Sequence, residues 1–250
     1  MTVPHSILSR ILSRFIYPDR LVFPQADETE EEMDAWVNAT DLEHFSKQNE
    51  AFVQRALGFG VDSGVVFDLG SQLGLVPLKI LWHNEGLFGI SLHTSGKPAE
   101  RARETADAWE LGERMFFQIG KPQQMKFKSN YFDLTVSDMA LHKFKQPLEV
   151  LIEINRITKP SGAILIRDMV RPSRFWLSRR IAQQVQYYPS ALKLPCESSI
   201  RAGFVKRELV ELVKAAKLRA RVSSDRTHVF VERRGANDPS SWVVEREKYT

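Results

Sequence analysis

The stretch Val65-Val66-Phe67-Asp68-Leu69-Gly70-Ser71-Gln72-Leu73-Gly74 constrains this chain more than any other. Its first residues are apolar and β-branched or aromatic, the composition of a buried strand. The segment after it, Leu75 to Trp82, reads as a helix. A glycine turn between strand and helix lets backbone amides approach a bound group closely and aims a helix N-terminus at it. In the usual form of such a turn a third glycine stands where this chain has Gln72, so the cradle is altered.

From about residue 64 the chain alternates strand and helix, which argues for parallel βαβ units. Strands are expected over 65–69, 87–91, 114–118, 132–137 and 162–168, with helices near 73–83, 97–111, 146–158 and 173–188. Leu209, Leu212, Val213 and Ala216 share one face of a helix over 206–217, and the runs 219–223 and 228–233 are close enough to form an antiparallel pair. Upstream, the acidic run over 27–32 opens a helix, because carboxylates favour the first turn, and a second helical stretch lies near 40–58.

Composition sets looser bounds. With 250 residues, 43% hydrophobic and 26% charged, the chain can bury one sizeable core. No apolar run reaches the ~18 residues of a membrane span. Cys196 is the sole cysteine, which excludes an intramolecular disulfide and a thiolate metal cluster and suits a reducing cytoplasm. Ile7, Leu8, Ile11, Leu12, Phe15 and Ile16 fall on one helical face opposite serines and arginines. That acid-free start reads as a helix packed on its own domain, with an organelle transit peptide within 1–20 or a membrane-surface helix as the open alternatives.

Net charge is +4, too mild for a general nucleic-acid binder. One cluster stands out: Arg167, Arg171, Arg174, Arg179 and Arg180 with Phe175 and Trp176 interleaved. Such a set could hold a phosphate, a carboxylate or a nucleic-acid backbone. The plainer expectation is a basic helix face whose aromatics pack inward.

The middle of the chain is more specific. Asn130-Tyr131-Phe132-Asp133-Leu134-Thr135-Val136-Ser137 followed by Ala140-Leu141-His142, then Leu151 to Ala163 with its Pro160-Ser161-Gly162 turn, then Ile164-Leu165-Ile166-Arg167-Asp168, resemble the fourth strand, following helix and fifth strand of the class I S-adenosylmethionine-dependent methyltransferases, type 11-like. The resemblance covers roughly 60–170, with the remainder matching by element order. It implies an α/β fold: a Rossmann-like three-layer α/β/α sandwich with a mostly parallel seven-stranded sheet and an antiparallel last strand. The expected organisation is an N-terminal helical extension over 1–60 that lids the cleft, a methyltransferase-like domain over 61–235, and a polar tail over 236–250.

The resemblance also implies S-adenosylmethionine as cofactor. It assigns contacts to Asp68, Gly70, Ser71, Gln72 and Gly74, to Ser91 and Leu92 on the second strand, to Lys121 after the third, and to Ser137 on the fourth. Three of these depart from the family pattern. Gln72 replaces a glycine, Ser91 stands where an acid grips both ribose hydroxyls, and Lys121 stands where an acid meets the adenine amino group. A charge-assisted hydrogen bond contributes ~1.5–3 kcal/mol against ~0.5–1.5 for a neutral one. The implied activity is methyl transfer to an unidentified small-molecule acceptor. A catalytically inactive relative serving as a binding or scaffold subunit is the alternative, with a protein partner or a homo-oligomer left open.

Methyl transfer proceeds largely by positioning, so no obligatory triad is expected. His142, at the mouth of the fourth strand, is the candidate general base, against a structural histidine that fills the loop. His93, close after Ser91, is expected at the surface, with a place facing the adenosine as the alternative. His83 and His93 lack the i, i+4 partners of a helical zinc site, so no metal is expected. Cys196 reads as an inert thiol.

Overall fold

The computed structural model describes residues 15–24, 27–40 and 42–235. Most of the expected N-terminal amphipathic helix and the polar tail from 236 lie outside the described residues. Two helices come first, α1 (Glu30–Thr40) and α2 (Glu43–Leu57). The acidic run does open a helix, but the start falls at Glu30 because Thr29 caps it. Glu32 N–H donates to Thr29 Oγ1 at 3.1 Å and Thr29 N–H donates to Glu32 Oε2 at 2.8 Å, a reciprocal capping box.

The alternating region follows as β1 (Gly64–Leu69), α3 (Leu75–Trp82), β2 (Leu87–His93), α4 (Gly96–Ala108), β3 (Met115–Ile119), β4 (Phe132–Asp138), α5 (Pro147–Ile157) and β5 (Thr158–Met169). Then come α6 (Arg174–Val185), α7 (Lys193–Ala202), α8 (Lys206–Ala215), β6 (Arg221–Ser224) and β7 (His228–Arg233). The strands form one seven-stranded sheet in the order β3-β2-β1-β4-β5-β7-β6. β1 to β5 pair in parallel, while β7 runs antiparallel between β5 and β6. This is the expected three-layer, mostly parallel sandwich.

Strand alternation explains the layers. Phe67, Leu69, Ile164 and Ile166 point to one side and pack with Val150, Leu151 and Ile154 of α5 and Leu209 of α8. Val66, Leu134, Val136 and Leu165 point the other way, onto Phe52 and Val53 of α2 and Leu78 and Leu81 of α3. A parallel sheet covered on both faces needs such continuous apolar strands.

Three local readings change. β5 begins at Thr158 rather than 162, with a register shift opposite Phe132 and Leu134. Gly162 is required there, because a Cβ would stand 2.9 Å from the carbonyl oxygens of both Phe132 and Asp133. Helix α7 is not legible in the sequence, because Pro195 interrupts its periodicity; the proline falls in the first turn, where no intrahelical N–H is lost. The aromatics of α6 do not pack inward. Leu177, Ile181 and Val185 form the inner stripe against Cys196 and Ile200, leaving Phe175 85% and Trp176 61% exposed. Among the described residues no helix is long and apolar enough to cross a membrane.

Candidate active site

The C-terminal ends of the parallel strands open onto two adjoining cavities, the position where open α/β sheets bind ligands. The larger, about 410 Å³, lies between the glycine turn, helices α1 and α2, the loop after β4, and α7. The smaller, about 240 Å³, extends toward the end of β2 and is walled by His93, Thr94 and Pro98. Gly70, Gln72, Glu28 and Lys143 line both.

The glycine turn has the geometry its residues imply. Gly70 has φ 76° and Gly74 φ 67°, the left-handed region in which a side chain is strained. A Cβ on Gly70 would also stand 2.8 Å from Cβ of Ala140. Gly74 caps α3. Gln72 is not among the residues with positive φ, so its side chain costs no backbone strain. The missing glycine alters the space in the cavities, not the turn.

Behind the turn is a closed polar network. Asp68 is fully buried and accepts hydrogen bonds from Ser71 Oγ and Ser91 Oγ, each at 2.5 Å. Burial pushes its carboxyl up to about 6 in spite of those two bonds. Ser91 has one proton and spends it on Asp68, so His93 Nε2–H must donate to the Ser91 oxygen, 3.0 Å away. His93 is buried, not on the surface as expected, because β2 runs on to residue 93; burial holds it down at about 4 and therefore neutral.

These shifts act oppositely on stability. Asp68 titrates higher folded than unfolded, so its contribution is full below its ordinary value of 3.8 and is lost as pH rises through about 6. His93 titrates lower folded than unfolded, so its contribution is full above 6.5 and is lost as pH falls through about 4. Asp68→Asn should therefore unmask a loss of stability on acidification across that window, and His93→Gln the reverse, both read by urea denaturation. Slopes identical to wild type in both variants would show the network is not what titrates.

Of the residues singled out from the sequence, Gly70, Ser71, Gln72 and His142 line the larger cavity. Asp68 and Ser91 stand behind them. Leu92 is in the core, a Cβ on Gly74 would stand 3.1 Å from Cβ of Ala102, and Ser137 Oγ donates to the carbonyl of Leu69 at 3.3 Å. Lys121 is exposed and on neither cavity wall.

His142 sits in a short 3-10 turn, Leu141–Lys143, and is 1% exposed. Its Nδ1 lies 2.6 Å from Asp168 Oδ1, and its backbone N–H donates to Asp168 Oδ2 at 2.9 Å. A carboxylate only accepts, so the ring proton is on Nδ1 and Nε2 is left as an acceptor. Nε2 meets no partner among the described residues. Arg20 braces the turn from the N-terminal side, donating to the carbonyls of His142 (2.8 Å) and Phe144 (3.2 Å). Asp168 was not singled out from the sequence; the available signal was its place at the end of β5, beside the end of β4.

The remaining wall is an ion pair and an aromatic cluster. Arg167 makes two 2.7 Å bonds to Asp138, and a third to the carbonyl of Gln48 ties α2 over the sheet end. Arg171 is buried too, donating to the carbonyl of Gly203 at 2.6 Å and to Glu208. The arginine cluster is thus divided between the interior and α6. Trp36, Phe45 and Tyr188 meet edge to face at 4.8 to 6.3 Å on the larger cavity. Cys196 also lines it, its thiol pushed up to about 11 by burial and so unreactive near neutrality.

A parallel sheet of this order with a glycine cradle after β1 is the Rossmann-like fold shared with solved S-adenosylmethionine-dependent methyltransferases. Residues 67–166 match the family model described as a methyltransferase domain. Among solved structures, an O-methyltransferase family protein from Burkholderia thailandensis is 19% identical with TM-score 0.63, over 83% of this chain and 60% of that one. A phosphoethanolamine N-methyltransferase from Haemonchus contortus, in complex with phosphomonomethylethanolamine and S-adenosylhomocysteine, is 18% identical with TM-score 0.59, over 80% and 47%. A SAM-dependent methyltransferase from Aquifex aeolicus is 16% identical with TM-score 0.55, over 72% and 87%. At these identities the likeness is one of fold. No curated protein matches the sequence.

Proposed function

We propose that this chain transfers a methyl group from S-adenosylmethionine to a small-molecule acceptor, with His142 taking the acceptor's proton. The observation that carries the reading is Nε2 of His142, which meets no partner among the described residues and is held as an acceptor by Asp168 on the cavity that the glycine turn also lines. The cofactor fits this chain. Gly70 presents backbone where a Cβ would collide with Ala140, α3 begins at the cavity, and about 410 Å³ lies within the usual size of small-ligand sites. When bound, S-adenosylmethionine supplies an electrophilic methyl on a sulfonium.

The residues divide the rest of the work. Gly70 and Gln72 present the turn, Asp168 holds the His142 ring and offsets the charge it gains, and Trp36, Phe45 and Tyr188 supply an apolar wall that excludes water. The acceptor this cavity suits has an apolar body and a proton-bearing nucleophilic atom. Titration with S-adenosylmethionine and S-adenosylhomocysteine tests the reading, with saturable binding of both expected. A folded protein that binds neither would instead be the non-catalytic scaffold.

A further inference from the structure

The smaller cavity lacks an anion from the sheet. β2 delivers His93 and Thr94 to its wall, and His93 is neutral with its Nε2 proton spent on Ser91. Asp68 and Ser91 are closed into their own network and do not reach the cavity. Its carboxylates are Asp27 and Glu28, both on the segment that leads into α1.

Glu28 is fixed at the end of β2 by the chain on the other side. Its Oε2 accepts from Ser95 Oγ at 2.9 Å, and Ser95 is the residue before α4, two beyond the last residue of β2. Helix α1 is held over α4 by Lys97–Glu30 at 3.3 Å and Arg101–Asp34 at 2.9 Å. Lys143, on the same wall, is electrostatically coupled to Glu28.

We propose that Glu28 is the carboxylate that accepts the ribose hydroxyls of S-adenosylmethionine, so that the segment before α1, and not β2, completes the nucleoside side of the site. The inference rests on the methyltransferase reading above. A ribose cis-diol offers two donors, and a carboxylate is the group whose paired oxygens accept both. Lys143 only donates, and the Thr94 hydroxyl offers a single oxygen. Asp27 shares the wall but has no tie to the end of β2 comparable to the Ser95 bond among the described residues.

The test is calorimetric titration of wild type, Glu28→Gln and Asp27→Asn with S-adenosylhomocysteine and with its 2′-deoxyribose analogue, with melting temperatures as the folding control. Wild type should prefer the ribose form. Glu28→Gln should bind S-adenosylhomocysteine about 10- to 100-fold more weakly and lose most of that preference, while Asp27→Asn changes neither. Affinity and preference unchanged in Glu28→Gln would overturn the assignment and leave the methyltransferase reading standing. Weaker binding with the preference intact would also overturn it, since the carboxylate would then meet another part of the ligand. Wild type that binds neither compound would sink the methyltransferase reading itself.

Discussion

His142→Gln is expected to lower kcat by about 10²–10⁴-fold with S-adenosylhomocysteine affinity within a few-fold of wild type. The buried residue is held by two bonds to Asp168, one from ring Nδ1 and one from its backbone N–H, and its second ring nitrogen meets no partner among the described residues. A purely structural histidine filling the loop would leave no such acceptor on the cavity. Asp168→Asn should act in the same direction, because an amide can also donate to Nδ1 and so release the tautomer that keeps Nε2 unprotonated. Initial rates and calorimetry on both variants read the two quantities separately. Wild-type turnover in His142→Gln would remove the base from the mechanism.

Gly70→Val should abolish binding of the cofactor and its product. A β-branched residue at φ 76° is strained by ~1–3 kcal/mol, and its Cβ would have to displace Ala140, 2.8 Å away, from the loop that carries His142. The turn is therefore expected to open, with a lower melting temperature and no measurable titration of S-adenosylhomocysteine. Gly96→Ala is the control, since an added Cβ at Gly96 meets nothing within 4 Å; it should leave affinity unchanged. Retained binding in Gly70→Val would mean that ligands do not approach this turn.

Element order was readable because strand and helix periods differ. Val66 and Phe67 face opposite helix layers, as do Leu165 and Ile166, and that continuity of apolar residues is what a parallel strand displays in sequence. The glycine turn was readable because its glycines are needed for backbone reasons. The site was less legible, for a geometric reason. Counting to the end of β2 places Ser91 at its tip, but the strand continues two residues further, and Ser91 is turned inward onto Asp68. An aspartate at 91 would stand against another buried carboxylate rather than against a ligand. Asp168 and Glu28 escaped because their partners are distant in the chain: Asp168 meets His142, 26 residues away, and Glu28 meets Ser95, 67 residues away.

The antiparallel β7 has a consequence for how this site comes into being. β5 ends at Met169 and β7 begins at His228, yet Asp168 pairs with Val229 and Met169 with His228. During synthesis the strand that carries Asp168 emerges long before the neighbour that sets its outer edge. Until then β5 is an open border with unpaired amides, prone to wrong pairing. Such late, non-local closure slows folding relative to local contacts. The edge that holds Asp168 beside His142 would thus be completed only with the last hairpin of the sheet.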